Sequence, residues 1–191
     1  MRIWLIRHGL TRLGEEKRYQ GSLDTPLSDT GRAALRTADF RPQSVYTSSA
    51  LRAVETAEIL FPDARTIPVE GFREMDFGSF EGRGWWEMEE DRDYRSWVDG
   101  GCEGRCPGGE DRREFCDRVC SAFQEVLEAE KDSAELVIVA HGGTQMALLG
   151  RYGTKNTAYY EWQRPCGCGW LLEWKPEAER LEVLQELCFI K

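Results

Sequence analysis

Histidine is scarce: the chain of 191 residues holds only His8 and His141. With so few, and no Cys-x-x-Cys pair among seven cysteines, the sequence offers no zinc-knuckle pattern and no metal is expected. Cys102 and Cys106 lie four apart, as do Cys116 and Cys120, and Cys166 and Cys168 lie two apart. An odd number of cysteines without an export signal predicts reduced thiols in a cytoplasmic chain, not a disulfide framework. Long apolar runs are missing, so nothing approaches the ~18 residues that a membrane span needs. Strand-like Met1-Arg2-Ile3-Trp4-Leu5-Ile6 begins at once, and no signal peptide is expected. Excess positive charge is missing too, since the formal net charge is −9. Nucleic acid and anionic membrane both need basic patches, so neither is an expected partner. A small anion in a locally basic pocket remains compatible with this charge.

Hydrophobic residues at 41% and charged residues at 31% mark a globular chain. Its length suits a single domain over 1–191, as monomer or homodimer. Strand-like runs fall at 2–6, 44–47, 66–69, 136–140, 169–174 and 181–187. Helical patterns lie between them: from the N-cap Ser28 to about Ala38, Ala50 to Leu60, about Glu110 to Glu130, and one from near Gly143. Leu136-Val-Ile-Val-Ala140 is continuously apolar, as strands buried on both faces are. The alternation predicts a three-layer α/β/α sandwich around a mostly parallel sheet. Ligands bind such sheets beyond the carboxyl ends of the strands. Residues 83–108, with Trp85, Trp86, Tyr94 and Trp97, read as a cap-like insertion. Its aromatics either pack inward on surface helices or wall the site.

Each histidine directly follows a predicted strand, and each precedes a glycine. With 19 glycines in 191 residues, chance would do this in about one chain in a hundred. Arg7-His8-Gly9 suits a phosphate: guanidinium grips phosphoryl oxygens in a fork, and glycine lets the backbone come close. His141-Gly142-Gly143-Thr144 opens a helix, whose free N–H groups seat an anion. Arg52 lies in the first turn of a helix, off its apolar stripe. A cation there is unfavourable unless an anion is held beside it. Asp76-Phe77-Gly78 lacks the companion motifs of a kinase, and Gly150-Arg-Tyr-Gly-Thr-Lys155 lacks the spacing of a P-loop.

Five segments occur in order: RHG at 7–9, Ser-Ser-Ala-Leu-Arg-Ala-Val-Glu-Thr-Ala at 48–57, Arg-Glu-Met-Asp-Phe-Gly-Ser-Phe-Glu-Gly at 73–82, Pro-Gly-Gly-Glu at 107–110, and His-Gly-Gly at 141–143. Together they resemble the histidine phosphatase superfamily, with its phosphoglycerate mutase-like fold. The resemblance implies that His8 becomes a phosphohistidine, while Arg7, Arg52 and His141 complete the phosphate pocket. It places Glu74 at the family's proton donor; nearby Asp76 and Glu81 are alternatives. It also implies a metal-independent phosphatase with no cofactor and a small phosphorylated metabolite as substrate. The branch it looks most like is that of the α-ribazole phosphatases. Leu10 and Gly14 depart from the family at positions that are often polar. Gln20, with Gly21 beside it, is expected to contact phosphate or substrate instead, as is Gly142. Mutase-type phosphoryl transfer and a non-catalytic phosphate-binding module are the alternative functions.

Overall fold

The computed structural model describes residues 1–155 and 157–191. In chain order the elements are β1 (Arg2–Arg7), α1 (Arg12–Glu15), α2 (Asp29–Ala34), β2 (Ser44–Ser48), α3 (Leu51–Leu60), β3 (Arg65–Val69), α4 (Arg92–Asp99), α5 (Arg112–Ala129), β4 (Glu135–Ala140), α6 (Gly142–Tyr152), β5 (Cys168–Lys175) and β6 (Arg180–Cys188), with short 3-10 turns between some of them. The strands form one sheet in the order β3-β2-β4-β1-β5-β6. β3, β2, β4 and β1 run parallel, while β5 pairs antiparallel with β1 and β6 antiparallel with β5.

Side chains alternate across this sheet because a strand repeats every two residues. Ile3, Leu5, Leu136 and Ile138 join a core with Phe115, Val119 and Phe123 of α5 and Leu148 of α6. Trp4, Ile6, Val137 and Val139 point to the other face, against Ala53, Ala57 and Leu60 of α3. Apolar cores on both faces make three layers, as the continuous β4 run predicts.

Two helix boundaries differ from the sequence reading. Ser28 does cap α2, its hydroxyl accepting from Gly31 N at 3.0 Å. The helix stops at Ala34 rather than Ala38, because Leu35 turns extended, bridges to Ile190 and is buried. α5 starts at Arg112, not Glu110. Asp111 is its N-cap, and Asp111 and Glu114 form a reciprocal capping box that satisfies free N–H groups at the helix start. Within 83–108 there is one α-helix, α4, which turns Tyr94 and Trp97 inward and leaves Trp85 and Trp86 exposed. Among the described residues, no helix is long and apolar enough to cross a membrane.

Candidate active site

Three parallel strands end side by side. Arg7 at the end of β1 stands opposite Ala140 at the end of β4, and Thr47 of β2 stands opposite Val139. The residues that follow are therefore neighbours on one edge of the sheet. His8 N donates to Ala140 O at 2.9 Å. The His8 and His141 rings lie 5.1 Å apart between centroids, at 66°.

Each ring has a defined setting. His8 Nδ1 lies 2.7 Å from the Gly9 carbonyl oxygen, which can only accept. Nδ1 therefore carries the proton, and Nε2 keeps its lone pair. His141 Nε2 lies 2.7 Å from Ser48 Oγ, while its Nδ1 is buried with no partner among the described residues. Burial pushes both pKa values well below 6.5, and the neighbouring Arg52 and Arg7 guanidiniums push the same way. Both rings are thus neutral at pH 7.

The two arginines are held by backbone carbonyls. Arg7 Nη1 donates to Arg164 O at 2.9 Å. Arg52 donates to Leu23 O at 2.9 Å and to Gly21 O at 2.8 Å. Arg52 is only 1% exposed, so it is not a solvated surface residue. The Nε atoms of both arginines are buried and have no partner among the described residues. Three buried nitrogens without partners, Arg7 Nε, Arg52 Nε and His141 Nδ1, thus belong to the residues clustered around His8. Unmet donors of this kind carry a desolvation penalty that a bound anion would remove.

Glu74 reaches the same place from the loop after β3. Its carboxylate accepts from Gly143 N, at the start of α6, and from Met75 N, both at 3.0 Å. Arg118 of α5 holds that loop. It donates to the carbonyls of Gly71 at 3.1 Å and Arg73 at 3.0 Å, and to the Glu110 carboxylate at 2.9 and 2.7 Å. Glu110 in turn accepts from Asp76 N at 3.0 Å. The Pro-Gly-Gly-Glu segment is therefore the brace of the Glu74 loop.

A cavity of about 370 Å³ opens over these groups. Arg7, His8, Arg52, Glu74 and Gly143 line its inner end, and Glu74 is its only acidic lining residue among the described residues. Asp76 lies outside the lining, with its Oδ1 accepting from Gly78 N at 2.8 Å. Glu81 is spent on the N–H groups of Ser22, Leu23 and Phe77 and on the Ser22 hydroxyl. Gln20 lines the cavity, but its amide already accepts from Thr11 Oγ1 at 2.7 Å and donates to Thr25 Oγ1. Gly21 also lines it, at a φ of +44° that disfavours a side chain. Gly142 does not line it: the residue is buried against Gln163, and Gly143 takes that place. Gly14 is in the lining and Leu10 is not.

Sequence reasoning missed part of the wall. Tyr159, Tyr160, Gln163 and Cys166 line the cavity from the stretch before β5. The adjacent tyrosines were a visible signal, but no periodicity ties them to the site. Ser48, the partner of His141, sat unremarked at the start of the 48–57 segment.

The sequence profile of the histidine phosphatase superfamily (branch 1) matches residues 3–186. The chain belongs to that superfamily, and it is an enzyme of the phosphatase class. A protein of Hydrogenobacter thermophilus, provisionally named phosphoserine phosphatase 2, is 33% identical over 157 residues, covering 78% of this chain and 76% of its own. A solved phosphoglycerate mutase of Thermus thermophilus superposes with a TM-score of 0.74 at 31% identity, over 98% of this chain and 99% of its own. The α-ribazole phosphatase of Shigella flexneri shares the fold, with a TM-score of 0.78 at 23% identity over 98% of this chain and 96% of its own.

The buried histidines predict a pH dependence of stability. In the unfolded chain each imidazole takes its proton near 6.5, whereas in the folded chain both hold out to lower pH. Between those values the unfolded state binds more protons. Stability is therefore full above about pH 6.5 and falls as pH drops below it, by up to about 1.4 kcal/mol per pH unit for each histidine. Denaturant titrations at pH 7.5, 6.5 and 5.5 will show that loss. The slope between 6.5 and 5.5 should fall by about half in His8→Asn, and an unchanged slope would refute the assignment.

Proposed function

We propose that this chain hydrolyses a small phosphate monoester through a phosphohistidine on His8, with no metal in the reaction. The observation that carries this reading is the set of three unpartnered buried nitrogens around a neutral histidine with a free Nε2. A phosphoryl group there meets donors fixed in advance, which is the main source of catalysis in phosphoryl transfer. With the Ser48 hydroxyl donating to Nε2, His141 offers an Nδ1 proton to the same oxygens.

In the first step the Nε2 lone pair of His8 attacks phosphorus. The bond to the leaving oxygen breaks, and Glu74 gives that oxygen its proton. In the second step Glu74 takes a proton from water, the water oxygen attacks phosphorus, and the N–P bond returns its electrons to Nε2. One carboxyl thus serves as acid and then as base.

The test is a panel of phosphate monoesters, including α-ribazole phosphate, phosphoserine and phosphoglycerates, assayed with EDTA present. Turnover should persist with the chelator, and in separate assays without it orthovanadate should inhibit competitively. No turnover on any ester, or turnover abolished by EDTA, would overturn the reading. A second reading, mutase-type transfer, is favoured by the Thermus neighbour. It requires product phosphoglycerate to appear without release of inorganic phosphate.

Arg118 holds the Glu74 loop without reaching the substrate. Arg118→Gln should lower kcat about 10- to 100-fold, since a small displacement of an acid is costly. KM should move little, because the anion donors stay in place. Arg118→Lys should recover part of the loss. An equal change in kcat and KM would mark a general collapse of the loop instead.

A further inference from the structure

Four arginines line the cavity among the described residues: Arg7 and Arg52 at the phosphate end, Arg18 and Arg112 farther out. The inner pair makes no ion pair within 4.0 Å among the described residues, whereas the outer pair is already neutralised. Arg18 donates to Glu16 at 3.0 Å and to Glu87 at 3.2 Å, and lies 5.7 Å from the centre of the Trp86 ring. Arg112 is paired with Glu103, with its guanidinium 4.8 Å from the Tyr159 ring centre. No lysine lines the cavity among the described residues.

The rest of the outer wall is largely aromatic. Tyr19, Phe77 and Trp97 stand edge to face with centroids 5.2 to 6.1 Å apart, and Tyr159 and Tyr160 flank them in the lining. The Tyr160 hydroxyl donates to Gly101 O at 3.1 Å, joining the two sides of the wall. Flat apolar rings offer stacking and little solvation for a charge.

We propose that Glu103, Glu16 and Glu87 set specificity by neutralising Arg112 and Arg18, which leaves an anionic leaving group without a cation in the outer cavity, so that the substrate is the phosphate ester of an uncharged, flat alcohol or phenol. The proposal rests on the phosphatase reading above. A second anionic group on the substrate would enter the outer part of the cavity, where among the described residues every lining cation is already paired. To find a counter-charge it would have to displace a glutamate from Arg18 or Arg112. An arrangement that leaves a competitor's charge unpaired discriminates between substrates as effectively as an attractive contact does. It also disfavours phosphoglycerates, which carry a carboxylate beside the phosphate ester.

Phenyl phosphate and 4-carboxyphenyl phosphate form a matched pair. The carboxylate makes the phenol a slightly better leaving group, so chemistry alone favours the second ester. The protein should reverse that order, with kcat/KM at least about tenfold higher for phenyl phosphate. Glu103 is well exposed, so Glu103→Gln should fold, and its melting curve will verify this. In that variant Arg112 is freed, and the ratio of the two kcat/KM values should fall about two- to fivefold, the range for a partly exposed charge. Equal kcat/KM on both esters in the unaltered enzyme would overturn the proposal and leave the phosphatase reading standing. A strong preference that Glu103→Gln does not relax would also overturn it. Hydrolysis of neither ester would instead remove the phosphatase reading, and the proposal with it.

Discussion

Replacing His8 with Ala will abolish turnover. The nucleophile and the intermediate vanish together, and losing a covalent catalyst costs on the order of 10⁴–10⁶ in kcat. Acid-labile, base-stable phosphoenzyme should be trapped when the unaltered enzyme is quenched during turnover. The variant should show none. The ring removed is small and lies at a cavity, so the fold should survive, and vanadate should still bind to Arg7 and Arg52, though more weakly. Label persisting at another residue in His8→Ala would refute the assignment. In the unaltered enzyme the acid limb of kcat/KM should fall well below pH 6.5, because burial and two guanidiniums keep His8 neutral to lower pH than a free imidazole.

Glu74→Gln will separate substrates by their leaving groups. An alkoxide needs a proton as it departs, and a nitrophenolate does not. The substitution keeps the shape of the side chain and an oxygen that can accept from Gly143 N or Met75 N. Loss of general acid help is worth about 10²–10⁴ in rate, so alkyl phosphates should slow by that factor. Phosphorylation of His8 by 4-nitrophenyl phosphate should slow far less. Single-turnover assays are needed, since dephosphorylation also uses Glu74 and would mask the difference at steady state. Equal losses in the phosphorylation step would move the role to water, because Asp76 and Glu81 are committed elsewhere.

The fold was legible wherever periodicity was strong. The continuous run of β4 announced a strand covered on both faces, and the stripe of α3 announced a helix. The antiparallel setting of β5 and β6 was not legible, since pairing direction leaves little mark on a single strand. The end of α2 was missed because Leu35 leaves the helix for a tertiary contact with Ile190. At the site, the two His-Gly steps were readable because glycine after both histidines is improbable by chance. Arg52 was readable because its charge conflicts with the start of a helix. Gln20 was harder: the sequence shows a polar loop residue, but not that Thr11 and Thr25 already occupy its amide. Tyr159 and Tyr160 come from a stretch with no period, where only the folded chain brings them to the cavity.

The two ends of the cavity have different origins in the chain. The inner end is anchored at the tips of buried strands, where any shift of Arg7, His8 or His141 would disturb both cores. The outer wall comes in part from Tyr160 and from Arg112 with its partner Glu103; Tyr160 and Glu103 are largely exposed and belong to neither core cluster. Surface substitutions are usually nearly neutral for folding, within about ±0.5 kcal/mol. A lineage with this layout can therefore trade one metabolite for another through single surface mutations, while the phosphoryl chemistry passes down unaltered.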